Sequence, residues 1–235
     1  MNSTLKMFAA LLVATALFHT ILNYMLGNIE DFETVPLPPK KIAKISTTNP
    51  LIKIDASSKE LWTLVDFSSG NTYHVAEPEE EKARLQKLSW DIAFQRTKII
   101  TNSGVTNPKG GVEVANLGPL DMNAITEVPQ SGFTADSRSF GKLINKNIAG
   151  WYNYRTRTHN IESKKNIYVV KTADGQFMKM KIWNYYCARP EADCQTVMCT
   201  REEAACLTVE YLFSQDGKRF PAPEPALTNP PENLG

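Results

Sequence analysis

The sequence predicts a mainly β chain: one antiparallel domain, sandwich-like or an open barrel, behind a single N-terminal transmembrane helix. Three observations predict it. No charged residue stands between Met7 and Asn28. From Leu51 to Phe220 the chain is cut into short β-branched and aromatic runs by Gly-, Asn- and Pro-rich turns. All four cysteines fall in one stretch, Cys187 to Cys206, spaced symmetrically about Thr196–Val197.

At 1.5 Å per residue a helix over Met7–Asn28 spans about 33 Å, enough to cross a bilayer core. Lys6 and the α-amino group precede it, and Glu30, Asp31 and Glu33 are the first charges after it. That asymmetry places everything beyond the helix outside the cytoplasm. The run is longer than a cleaved signal usually carries, and "ATA" at Ala14–Ala16 would cut inside it. Residues 1–28 are therefore expected to be an uncleaved signal anchor. The chain would then be a single-pass bacterial inner-membrane protein with its C-terminal domain in the periplasm. Cleavage would instead make it periplasmic or secreted. His19, inside the span, reads as a packing or interfacial residue. Residues 29–50 form a Pro/Thr-rich tether, and residues 221–235, "PAPEPALTNPPENLG", a Pro-rich tail, either disordered or laid over a partner.

Within 51–220 the elements follow in order. "LWTLVDF" (Leu61–Phe67), the turn "SSGNT" and "YHVA" read as strand, turn, strand. "EPEEEKARLQKL" (Glu77–Leu88) reads as helix, acidic early and basic late as the helix dipole prefers. "LSWDIAFQRTKIIT" (Leu88–Thr101) alternates Trp90, Ile92 and Phe94 on one face with Asp91, Ala93 and Gln95 on the other. It breaks at "NSGVTNPKGG", where Arg96 and Asn102 are expected to fix the loop. "VEVANL", "GWYNYRTRT" and "NIYVVKT" are further strands. "TADGQF" carries the Asp-Gly hairpin signal into "MKMKIWNYY", with Met178, Met180 and Ile182 on a core face.

The cysteine spacing fits the two arms of a β-hairpin, which would face Cys187 with Cys206 and Cys194 with Cys199. Zinc usually takes its cysteines in close C-x₂₋₄-C pairs, whereas the outer gaps here are six residues. Nested disulfides imply an oxidising compartment.

Composition narrows function by exclusion. The net charge is +1, and the adjacent lysines Lys40–Lys41 and Lys164–Lys165 do not extend into a basic run, so no nucleic-acid surface is expected. No P-loop, dinucleotide fingerprint, nucleophile elbow or HExxH motif occurs, and only His74 and His159 lie beyond the helix. No enzyme is expected, and no metal site other than heme. Glu79–Glu81 reads as a solvated helix face.

"WDIAFQRTKIITNSG" (Trp90–Gly104), continuing to "GGVEV", resembles the central signature of the HmuY-like heme-binding proteins. "GWYNYRTRTHNIES…NIYVVKTADGQFMKMKIWNYY" resembles that family's later block, with its Tyr-rich strand, Asp-Gly hairpin and Lys-containing strand. The resemblance implies an all-β extracytoplasmic domain that binds heme without redox turnover and hands it to a receptor. It also implies a lipid anchor, but no lipoprotein cysteine lies near this N-terminus.

Heme needs axial ligands of the His, Met or Tyr type, an apolar slot, and cations or hydroxyls for its propionates. His159 lies in "YNYRTRTHN" with Tyr152, Tyr154, Arg155 and Arg157, which could supply a ligand, an aromatic wall and propionate partners. His74, after Tyr73, and Met122, a free-standing loop residue in "PLDMNAI", are the other ligand candidates. Two functions are compatible with these features. One is a membrane-anchored, exported heme-binding protein. The other is a non-catalytic accessory or structural subunit of a larger membrane complex, docked through the helix and the Pro-rich tail.

Overall fold

The structure is a computed structural model that describes residues 3–27, 45, 47–186 and 203–222. The chain forms two compact units, Met1–Lys41 and Ile42–Gly235. In the first, α1 (Ser3–Gly27) is long and apolar enough to cross a membrane. Its Thr15 and Thr20 hydroxyls donate to the carbonyls of Leu11 and Ala16, one turn back, at 2.7 and 2.8 Å. Neither adds an unsatisfied donor to an apolar surface, as lipid requires.

The second unit is two open antiparallel sheets packed face to face. One sheet holds β1 (Leu51–Asp55), β6 (Glu113–Gly118), β11 (Ile167–Lys171), β12 (Phe177–Asn184) and β13 (Cys206–Phe213), in the order β1-β13-β12-β11-β6. The other holds β2 (Thr63–Asp66), β3 (Asn71–His74), β4 (Ile92–Gln95) and β5 (Lys98–Thr101), in the order β3-β2-β4-β5. Two ribbons, β7 (Ser137–Ser139) with β8 (Lys142–Ile144) and β9 (Tyr152–Arg155) with β10 (Asn160–Ser163), are separate two-stranded sheets. Of the two expected arrangements, the sandwich is the one formed. Neither sheet closes into a barrel.

Strand alternation sets the core. Val65, Ile92 and Phe94 of one sheet share a buried cluster with Val170, Met178, Met180, Ile182 and Val209 of the other. The expected inward face of Met178, Met180 and Ile182 is thus present. The outer faces are covered too. Leu64, Ala93 and Ile100 pack with Trp90, with Leu143 of β8 and with Leu85 of α2 (Pro78–Leu85). Val169 packs with Val128 and Phe220. Every described core residue of this unit lies between Ile54 and Phe220, so it carries a core of its own and folds without α1.

Four sequence expectations are corrected. Leu88–Thr101 is not one strand but the hairpin β4–β5, because Arg96 takes a positive φ of 55° and reverses the chain. Trp90 does not share a face with Ile92 and Phe94, since regular pairing begins only at Ile92. Trp90 lies with Ala93 on the outer side, and Ile92 and Phe94 face inward. The helix expected over Glu77–Leu88 stops at Leu85, because the Asn102 amide captures the carbonyls of Lys87 and Trp90 at 3.0 and 2.8 Å. The tether gives way to the domain before residue 50: Thr47 and Asn49 donate to the Glu210 carboxylate at 2.5 and 2.6 Å. Asn102 does fix its loop, as expected. Cys206 opens β13, whereas Cys187, Cys194 and Cys199, and with them the expected pairings, lie outside the described residues, as does the tail from Pro223.

One side chain joins the two sheets at their ends. Asp91 accepts from the Phe67 amide, just past β2, at 2.8 Å and from the Ala173 amide, in the β11–β12 turn, at 2.7 Å. Burial pushes its carboxyl up from 3.8 to about 6, in spite of both amide donors. Because the folded value is raised, the group's contribution is fully present below pH 3.8 and is lost as pH rises to about 6. The loss amounts to about 2–3 kcal/mol. Asn cannot titrate, so the stability of the wild-type domain relative to Asp91→Asn should fall by that amount between pH 4 and about 6.5. Urea unfolding of both proteins across this range checks it, and a constant difference would contradict it.

Candidate functional site

The Tyr-rich stretch folds as the β9–β10 ribbon, with Asn160 opposite Arg155 and Ser163 opposite Tyr152. Its base is fastened to the sandwich. Trp151, buried just before β9, donates its indole N–H to the Thr97 carbonyl at 2.9 Å and stacks edge-on with Tyr152 at 5.2 Å. The Ile161 amide donates to the Tyr186 hydroxyl at 3.0 Å, and the Ser163 hydroxyl donates to the Ile182 carbonyl at 2.5 Å. Tyr185 continues the aromatic wall, 6.0 Å from Trp151 and 5.3 Å from Tyr186, and burial pushes its hydroxyl up to about 12.

At the tip the chain turns through Thr156–His159, and His159 has a positive φ of 55°. The fold brings the exposed side chains of Tyr154 and His159 together, with Tyr154 Oη 2.6 Å from His159 Nδ1. When Nδ1 is the donor, Nε2 carries the lone pair, and this is the tautomer a metal requires. Among the described residues Nε2 makes no hydrogen bond. Tyr152 is half-buried at the base of the ribbon, and Arg157 is exposed in the turn. Arg155 differs from expectation: it forms an ion pair with Glu162 across the ribbon, so its guanidinium is partly neutralised. Glu162 went unnoticed because the β10 strand did. Its signal is the opposite charge following a short turn.

The other ligand candidates do not join His159, and no hydrogen bond or ring contact links the three. His74 ends β3 on the four-stranded sheet, 3.4 Å from the Thr63 hydroxyl. It borders a cavity of about 60 Å³, room for water but not for a porphyrin. Met122 is not a free-standing loop residue. It opens a 3₁₀ turn, Met122–Ala124, and is the residue of that turn that is buried, at 2% exposed. Lys179, itself buried, donates to the carbonyls of Met122 and Ile125 at 2.7 and 2.8 Å and lies 5.1 Å from the Phe220 ring. The methionine is core because these bonds draw the turn onto the outer face of β12.

A larger groove of about 830 Å³ opens beside Val128, Phe133, Phe177, Lys171, Lys218 and Arg219. Its volume suits a porphyrin, but its lining contains no His, Met, Tyr or Cys, so it offers iron none of the usual axial ligands. The ribbon instead offers one exposed imidazole with a positioned Nδ1 at its tip, while Trp151, Tyr185 and Tyr186 are buried at its base. The second axial position has no protein donor among the candidate residues.

Comparison with known proteins identifies a family. The family model described as HmuY protein matches residues 58–197. The structure resembles apo PinO from Porphyromonas gingivitis, with a TM-score of 0.50 at 16% identity, over 72% of this chain and 98% of that one. An apo HmuY analog from Tannerella forsythia matches with a TM-score of 0.49 at 16% identity, over 75% and 97%. A Bacteroides vulgatus protein assigned as HmuY-like and heme-binding matches with a TM-score of 0.46 at 20% identity, over 73% and 94%. No curated protein matches the chain significantly.

Burial of Met122 has a measurable consequence. Met122→Ala should destabilise the domain by about 2–5 kcal/mol, measured by urea unfolding, as a cavity-forming core substitution does. Any heme spectrum of the folded variant should match that of the wild type.

Proposed function

Because the chain belongs to the HmuY family, we propose that it is an exported, non-catalytic heme-binding protein, held at the bacterial inner membrane by α1 with its β domain in the periplasm. His159 is the axial ligand and Tyr154 positions it. The contact of 2.6 Å between Tyr154 Oη and His159 Nδ1 carries this reading, since it orients the imidazole and directs Nε2 away from its partner. The exposed ring of Tyr154 and the half-buried ring of Tyr152 are the aromatic side chains of the ribbon open to a porphyrin. The protein's part is to bind and orient; the electron chemistry of the iron belongs to the heme.

Export is supported by the apolar helix, and the same reading includes disulfides Cys187–Cys206 and Cys194–Cys199 as a proposal of its own. β12 and β13 pair antiparallel with Asn184 opposite Thr208, and beyond it Cys206 bridges Tyr186, the residue before Cys187. The accessory-subunit reading draws on a specific observation as well: neither His74 nor Met122 accompanies His159, so the ligand set is lean.

Titrating hemin into the domain, residues 42–235, separates the two. A saturable Soret shift is expected. His159→Ala should abolish or strongly weaken it, and Tyr154→Phe should weaken affinity about tenfold, as loss of an outer hydrogen bond to a ligating imidazole does. A titration without saturation would overturn heme binding and favour the accessory role.

The anchor has its own test. The full chain should remain with membranes after high salt and alkaline carbonate, because burial of apolar side chains holds α1 and not charge. Intact mass should start at or beside Met1. A mature N-terminus beyond Ala16 would mean a cleaved signal.

A further inference from the structure

The β7–β8 ribbon carries a feature that heme binding does not use. Its two-residue turn is Phe140–Gly141, with φ of 45° and 77°. Gly or Asn normally fills the first position of such a turn, because a bulky side chain at positive φ is strained. Phe140 is nevertheless there, and it is fully exposed. A strained backbone position holding an aromatic ring in water has no benefit within the fold. Its charged neighbours along the chain are cations. Arg138, Lys142 and Lys146 are all exposed, and no acidic residue occurs from Ser137 to Ile161. Arg138 Nη1 donates to the Gly141 carbonyl at 3.3 Å, which sets one of these charges beside the ring. Leu143, at the other end of the ribbon, is packed against the core of the four-stranded sheet, so the tip is presented on a fixed base.

We propose that this ribbon tip binds an anionic lipid surface, with Phe140 entering the headgroup–acyl boundary and Arg138, Lys142 and Lys146 meeting lipid phosphates. An aromatic ring flanked by cations matches such a surface, where the ring is buried and each cation gains from the negative potential. The nearness of a bilayer is the one element taken from the export-and-anchor reading. The ribbon would act as a second, reversible contact beside α1.

Flotation of residues 42–235 with two kinds of vesicle tests this without α1 and without hemin, so it reads neither the anchor nor heme binding. One kind is phosphatidylcholine alone; the other is phosphatidylcholine mixed with phosphatidylglycerol. Binding is expected to the mixed vesicles only and should fall steeply with salt. Phe140→Asn should lower it about tenfold, since the ring's burial is lost. The same substitution suits positive φ and should leave the thermal midpoint unchanged or raised, so the loss cannot come from misfolding. Lys142→Gln with Arg138→Gln should lower binding by a further tenfold or so. Absence of binding to mixed vesicles would overturn the inference and leave a protein partner as the occupant of the tip. Equal binding to both vesicle types, or no change in Phe140→Asn, would overturn it too.

Discussion

The Asp91 carboxylate aligns the sandwich. Each sheet can form its own ladder, but nothing in a ladder says how two sheets should face. One buried carboxylate spans them, with an oxygen for the Phe67 amide and another for the Ala173 amide. Without it the buried Phe67 amide would lack an acceptor, at about 1–3 kcal/mol, and the half-buried Ala173 amide would lose its own. An apolar residue could not serve them, and Asn offers a single acceptor. Desolvation slightly outweighs the two bonds, which is why the carboxyl titrates near 6 and not below 4. The acid is kept for its geometry, and the core around Phe94, Val170 and Met180 depends on that alignment.

The loop after β5 repeats this solution. The Asp136 carboxylate accepts from the Thr101 amide and from the Thr101 and Thr106 hydroxyls, and burial raises its carboxyl as well. Asn102 holds the carbonyls of Lys87 and Trp90, and its own carbonyl oxygen accepts from the Asn107 amide. The chain passes so close that a Cβ on Gly104 would lie 2.1 Å from the Asp136 carbonyl oxygen, and one on Gly110 would lie 2.0 Å from that of Asn102. Glycine at 104 and at 110 is therefore demanded by packing. The stretch that most resembles the family is the part that holds the fold together, and it lies apart from His159.

Separation of fold from site follows. The β9–β10 ribbon is bonded to the sandwich at its base through Trp151, Ile161 and Ser163, while its turn carries Tyr154, Arg157 and His159 in the open. Side chains at the tip bear little of the core energy, so ligand groups there are free to differ without loss of the domain. The β7–β8 ribbon is built alike, with Leu143 packed and Phe140 exposed.

Local properties were legible in the sequence because they are decided by neighbours along the chain. The apolar run became α1, the Asp-Gly turn became the β11–β12 hairpin with Gly175 at φ 81°, and the alternation Met178, Met180, Ile182 marked the inner face of β12. His159, Tyr154 and Tyr152 were recognisable as one group because a short ribbon keeps them near each other. Tertiary structure alone decided the rest. Only the long-range bond from Lys179 turns Met122 from a loop residue into core, across a separation of 57 positions. The Asn102 side chain likewise holds the Lys87 carbonyl, just past the end of α2, from 15 positions away. In both cases a buried polar group finds its partner elsewhere in the chain, and periodicity along a strand carries no record of that partner.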